Sequence, residues 1–97
     1  MAALTIRWTR QAIADVDHIY DFIAANNAAA ARAMVDRIDR AVSSLVAHPR
    51  IGRSGRVAGS RELIVSGTPY IVAYRLRGRD VELLGIMHGA RRWPDVL

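Results

Sequence analysis

A chain of 97 residues with a net charge of +5, of which 52% are hydrophobic and 24% charged, holds enough apolar material for one modest core and too little for two. That composition excludes disorder, and the lack of cysteine excludes a disulfide framework and a thiolate metal site. The three histidines, His18, His48 and His88, are far apart, no apolar run approaches the ~20 residues that cross a bilayer, and the first ten residues contain no basic start followed by an apolar stretch. A single domain over residues 1–97, cytoplasmic, with no metal, no cofactor and no membrane contact, is the expectation.

All fourteen basic residues are arginine, against nine acidic residues. The planar guanidinium pairs bidentately with carboxylate and phosphate, which suits an acidic or phosphate-rich partner. A surplus of this size also serves solubility, so charge alone does not separate the two roles.

In chain order, Leu4, Ile6 and Trp8 alternate with Thr5 and Arg7, the pattern of a short strand with one buried face. Thr9 offers an N-cap. From Arg10 to Ala25 the apolar residues Ile13, Val16, Ile19, Tyr20 and Ile23, with Phe22 beside them, recur at helical spacing, while Asp15, Asp17 and Asp21 mostly take the solvent side. Asn26 and Asn27 break this helix, and Asn27 caps a second one carrying the stripe Met34, Val35, Ile38, Ala41, Val42, Leu45 and Val46. It runs to about His48, where Pro49 stops it.

The stretch from Pro49 to Ser60 is rich in Gly, Ser and Arg and has no period, so it reads as a loop that concentrates Arg50, Arg53 and Arg56. Three strand-like runs follow, Arg61 to Val65, Tyr70 to Arg77 and Asp80 to Met87, divided by turn signals at Ser66-Gly67-Thr68-Pro69 and at Gly78. The order is β-α-α-β-β-β, an α+β fold with a two-helix hairpin on one face of a mainly antiparallel sheet. In the middle run Tyr70, Val72, Tyr74 and Leu76 project to one side and Ile71 and Ala73 to the other. A strand that is apolar on both sides is either central in a covered sheet or keeps one face for a partner, since two helices cover one face only.

Two groupings suggest chemistry. His88 ends the last strand, with Arg91, Arg92 and Trp93 close behind, so a titratable ring, two cations and a large aromatic share one short tail. The competing structural role makes Trp93 a plug on the core and leaves the arginines solvated. Cleavage of RNA needs a base, a cation for the phosphate and an acid, roles that Glu62, Arg61, Arg75, Tyr70 and His88 nominally supply. An adjacent Arg-Glu pair is more often a surface strand, and strand tyrosines are more often core. No phosphate-binding glycine loop and no nucleophile elbow are present.

The element order, the junction HPRIGRSGRVAGSREL, the strand SGTPYIVAYRL and the ending GIMHGARRWP together resemble the RelE/ParE toxin superfamily over essentially the whole chain. The segment His88 to Trp93, HGARRW, is similar to the H-x-A-R-x-W ending typical of the ParE branch. The resemblance implies the toxin of a type II toxin-antitoxin system, bound in a hetero-oligomer by a cognate ParD-like antitoxin. The implied target is DNA gyrase, with DNA met only indirectly through antitoxin or gyrase. In mRNA-cutting relatives the position three residues before the strand tyrosine commonly carries an arginine. Here that position is Ile71, with Tyr74 as the tyrosine, and an aliphatic side chain does not stabilise phosphate charge.

The resemblance therefore implies binding rather than catalysis. His88, Arg91, Arg92 and Trp93 are the expected target contacts, and Tyr70, Val72, Tyr74, Ile13, Val16 and Tyr20 the expected antitoxin contacts. The alternatives are a ribosome-dependent mRNA endonuclease using His88, Arg61, Glu62 and Tyr70, or a non-toxic antitoxin-binding module.

Overall fold

The computed structural model of the protein describes residues 3–89. Strand β1 (Thr5–Trp8) leads into helix α1 (Arg10–Ala24) and helix α2 (Ala28–Ser44). Then come a two-residue strand β2 (Arg53–Ser54), β3 (Arg61–Ile64), β4 (Tyr70–Arg77) and β5 (Asp80–His88). The expected fold is present, with β2 as an addition inside the expected loop.

Both helices begin where a polar side chain replaces a missing backbone partner. Thr9 accepts from the Ala12 amide at 3.2 Å while its hydroxyl donates to Leu83 O at 2.6 Å, which ties the start of α1 to β5. Asn27 accepts from the Ala30 amide at 3.0 Å. Helix α2 stops at Ser44, short of His48. The residue before Pro49 is biased away from helical backbone, and the Leu45 and Val46 amides turn back to Val42 O and Ser43 O in a tighter turn.

The sheet order is β1-β5-β4-β3-β2. β1 runs parallel to β5, a pairing allowed by the long connection through both helices and β2 to β4, and the other neighbours are antiparallel. In β5 the register with β4 shifts between Ala73 and Tyr74, leaving Leu84 as an extra residue opposite that step.

Ala12, Ile19, Ile38 and Val42 of the helices, with Leu45 just past α2, pack with Val72, Tyr74, Val81, Leu83 and Ile86 of the sheet and Val65 just past β3. Full burial of side chains of this size stabilises by about 1.5–3 kcal/mol each, so this layer dominates the fold's stability. A smaller cluster, Ile71, Ala73 and Met87 with Val57 and Leu84, lies on the other face. The expected double-sided apolar character of β4 is real, and the two sides are unequal.

Asp15 departs from its expected place in solvent. Its Oδ2 accepts from the Ile86 amide at 2.9 Å, and Oδ1 accepts from Gln11 at 2.8 Å. β1 pairs with β5 only from Asp80 to Leu83, so beyond that point Asp15 serves β5 where a strand would otherwise do so.

Candidate functional site

Strand pairing brings Tyr70 opposite His88, and their rings meet edge to face with centroids 5.8 Å apart. Together with His18, Ile19, Asp21 and Phe22 of α1 they line an open groove of about 650 Å³. His88 is exposed at the groove's edge, and Phe22 is 78% exposed, an apolar ring with no core role. Arg91, Arg92 and Trp93, expected beside His88, lie outside the described residues.

The second region is the segment between α2 and β3. Tyr74, fully buried, places its hydroxyl under this segment, where it accepts from the Gly52 amide at 2.9 Å and donates to Pro49 O at 2.8 Å. A Cβ on Gly52 would stand 2.6 Å from that oxygen, so the close approach itself requires glycine. Arg61 donates to Gly52 O at 2.9 Å and Arg50 O at 3.2 Å. Glu62, 3% exposed, accepts from Arg53 at 3.3 Å and from the Arg56 amide at 3.2 Å, with Arg56 Nε at 3.7 Å. A buried carboxylate is tolerable only when paired in this way.

Cross-strand register then decides which of the sequence-predicted groups meet. Arg61 pairs with Tyr74 and Glu62 with Ala73, so the adjacent Arg61 and Glu62 point to opposite faces. Tyr70 and His88 share a groove, Arg61 holds backbone carbonyls, and Glu62 sits across the sheet under Arg53 and Arg56. Four residues grouped by sequence as an endonuclease site are thus divided among three places. Arg75 is bound to Glu82 at 2.7 Å.

The expected antitoxin contacts need a correction. Val72 and Tyr74 are 0% exposed and Tyr70 is 9% exposed. They belong to the helix-covered face, because α1 and α2 pack on that side of β4, so Val72 and Tyr74 offer no side-chain surface to a partner. Tyr70 reaches only the groove beside His88. On α1, Ile13 is 49% exposed while Val16 and Tyr20 are half-buried, with Val16 packed against the core.

Sequence reasoning gave no role to three exposed apolar residues, Phe22, Ile51 and Ile64, the last two 59% and 53% exposed. For Phe22 the signal was its place just off the α1 stripe. Among the described residues no group of three or more His, Cys, Asp or Glu is placed to hold a metal ion, and no helix is long and apolar enough to cross a membrane.

Two helices on one face of a five-stranded mixed sheet, with the first strand parallel to the last, are the architecture expected from the RelE/ParE resemblance. The chain belongs to the ParE family: residues 6–93 match the family described as "ParE toxin of type II toxin-antitoxin system, parDE". It is 42% identical to Y4kP of Sinorhizobium fredii across the full length of both. Two Caulobacter vibrioides proteins, Toxin RelE2 and Toxin ParE3, are each 37% identical, over 87% and 84% of this chain and 93% and 82% of their own length. The structure of a chromosomal ParDE system from P. aeruginosa superposes with a TM-score of 0.80 at 32% identity, covering 88% of this chain and 95% of that one.

Proposed function

We propose that this toxin acts as a single cytoplasmic domain that inhibits DNA gyrase by binding it, and that a ParD-like antitoxin neutralises it in a hetero-oligomer. The observation that carries the reading is the match to the ParE family model over residues 6–93, nearly the whole chain. The target contacts are His88 and the following Arg91, Arg92 and Trp93, with the arginines meeting acidic protein or DNA phosphate and Trp93 serving as an aromatic anchor. Antitoxin contact on α1 falls to the exposed Ile13 and to the groove edge at Phe22.

A second reading, message cleavage of the RelE type, draws support from the Tyr70–His88 pair and from the likeness to Toxin RelE2. Against it stands the separation of Arg61 and Glu62 from that pair, together with Ile71 where a phosphate-binding arginine belongs. Induction of the chain alone in a bacterial host is expected to arrest growth, and co-expression of a cognate ParD-like antitoxin is expected to relieve the arrest. Unchanged growth on induction contradicts the toxin reading. Cleaved message in a translation extract with intact gyrase function favours the second reading.

A further inference from the structure

The charge of the chain is unevenly placed. Residues 9–44, which hold both helices, carry five acidic residues against four arginines, whereas residues 45–89 carry seven arginines against three acidic residues. The positive surplus therefore belongs to the sheet and its loops, and Arg7 of β1 adds to it.

Strand alternation brings much of that surplus to the face that the helices leave uncovered, marked by Ile71, Ala73 and Met87. Arg75 and Arg77 continue the every-second-residue series of Ile71 and Ala73 along β4. Arg7 and Arg75 both stand beside Glu82, one from each neighbouring strand. Arg53 and Arg56 lie over Glu62, the cross-strand neighbour of Ala73. Glu62 and Glu82 are buried, yet the side chains of Arg53, Arg56 and Arg75 that they hold stay 53%, 42% and 42% exposed. Anchored in this way, the cations are positioned before any ligand arrives, which lowers the ordering cost of binding. Arg75 meets Glu82 through Nε at 2.7 Å, so its terminal nitrogens lie beyond the pair. Arg77 is exposed, and among the described residues it makes no ion pair.

The other side chains of this face select the ligand. Ile71, Ala73 and Met87 are buried, Val57 and Leu84 half-buried, and Ile64 is exposed only at the β3 margin. A protein partner needs apolar or aromatic anchors at the centre of its interface, whereas a phosphate backbone needs cations alone. Single strands are held by stacking bases on aromatic rings. The described aromatic residues, Trp8, Tyr20, Phe22, Tyr70 and Tyr74, all belong to the helices or to the side of the sheet beneath them. A duplex, with its bases already stacked and its phosphates outward, is the ligand that fits.

We infer that the uncovered face of the sheet binds the phosphate backbone of duplex DNA, without regard to sequence, through Arg7, Arg53, Arg56, Arg75 and Arg77. The contact goes beyond the gyrase reading and beyond the resemblance, which implies DNA only through antitoxin or gyrase. Each guanidinium offers a planar fork to a phosphate, and counterions released from the duplex supply the driving force.

The test follows the fluorescence anisotropy of labelled duplexes of two unrelated sequences titrated with the full chain at several salt concentrations. Equal binding of both, weakening steeply with salt, is the expected result. Arg7→Gln and Arg77→Gln change exposed side chains, and the Arg7–Asp80 contact at 4.0 Å is an exposed pair of little weight in the fold. Each substitution is expected to lower the slope of log affinity against log salt by about 1 and to weaken both sequences alike. Arg32→Gln removes the same charge from an exposed position on α2 and is expected to leave the slope unchanged. An equal fall in slope for Arg32→Gln reduces the effect to net charge and overturns the inference, as does a lack of binding at low salt. Tighter binding of a single strand than of the duplex also overturns it. So does displacement by polyglutamate as readily as by unlabelled duplex, which hands the face to an acidic protein. The measurement contains no gyrase, so its failure leaves the gyrase reading to its own assay, and undisturbed gyrase leaves the DNA-binding face standing.

Discussion

The two faces of β4 carry side chains of similar polarity and do different work. On one, Val72 and Tyr74 lie under α1 and α2, fully buried. On the other, Ile71 and Ala73 form a small cluster with Met87, edged by the ion pairs Arg75–Glu82 and Arg53–Glu62. Hydrophobicity alone does not separate a core face from a lesser one; what separates them is which face two helices of the right length can cover.

Several substitutions sharpen that contrast. Leu83→Ala, cut from the helix-covered face where Leu83 is 0% exposed, is expected to cost about 2–5 kcal/mol in urea unfolding, because the cavity is enclosed on all sides. A loss well under that range would mean that the helices are less firmly seated than their packing indicates. Tyr74→Phe keeps the ring but leaves the Gly52 amide and Pro49 carbonyl without their shared partner. About 1–3 kcal/mol is expected, with faster proteolysis between Pro49 and Ser60 as its local signature. On the other face, Ile71→Val is expected to cost about 0.5–1.5 kcal/mol. A cost equal to that of Leu83→Ala would erase the difference between the faces.

The smallest effect concerns α2. Asp39 is held above the ordinary aspartate value, first by partial loss of solvent and second by the neighbouring Asp36. A carboxyl whose folded value is raised favours the fold while protonated, and that contribution disappears as pH rises through the folded value, so at neutral pH its charge opposes folding. Asp39→Asn is expected to raise the thermal midpoint slightly at neutral pH, with the gain closing as pH falls through the aspartate range. A lowered midpoint at neutral pH would reverse the assigned sign.

Much of the fold was legible because its signals are local. Asn26-Asn27, Pro49, the turn Ser66 to Pro69 and Gly78 each punctuate the chain through their own backbone preferences. The candidate site was less legible because its contacts are not local. The Tyr74 hydroxyl meets Gly52 across 22 positions of sequence, and no periodicity reports such a bond. Arg61 and Glu62 looked like a site because they are adjacent, yet adjacency on a strand is what sends them to opposite faces. Period-two alternation sorted Tyr70, Val72 and Tyr74 from Ile71 and Ala73 correctly, but it does not say which set the helices cover. Val72 and Tyr74, expected as partner contacts, therefore fell on the face that the helices bury. β2 was missed because a two-residue strand has no pattern of its own, and its place is set by Glu62 drawing in Arg53 and Arg56.

The central claim is that this ParE-family toxin acts on gyrase by binding. Its most direct test is a supercoiling assay with purified gyrase, run with and without the purified chain and scored for cleaved DNA released after protein denaturation. Loss of supercoiling with accumulation of cleaved DNA, both relieved by the antitoxin, is the expected result. Undisturbed supercoiling at concentrations of the chain that arrest growth when induced in a host would contradict the claim and direct attention to the Tyr70–His88 groove and the ribosome.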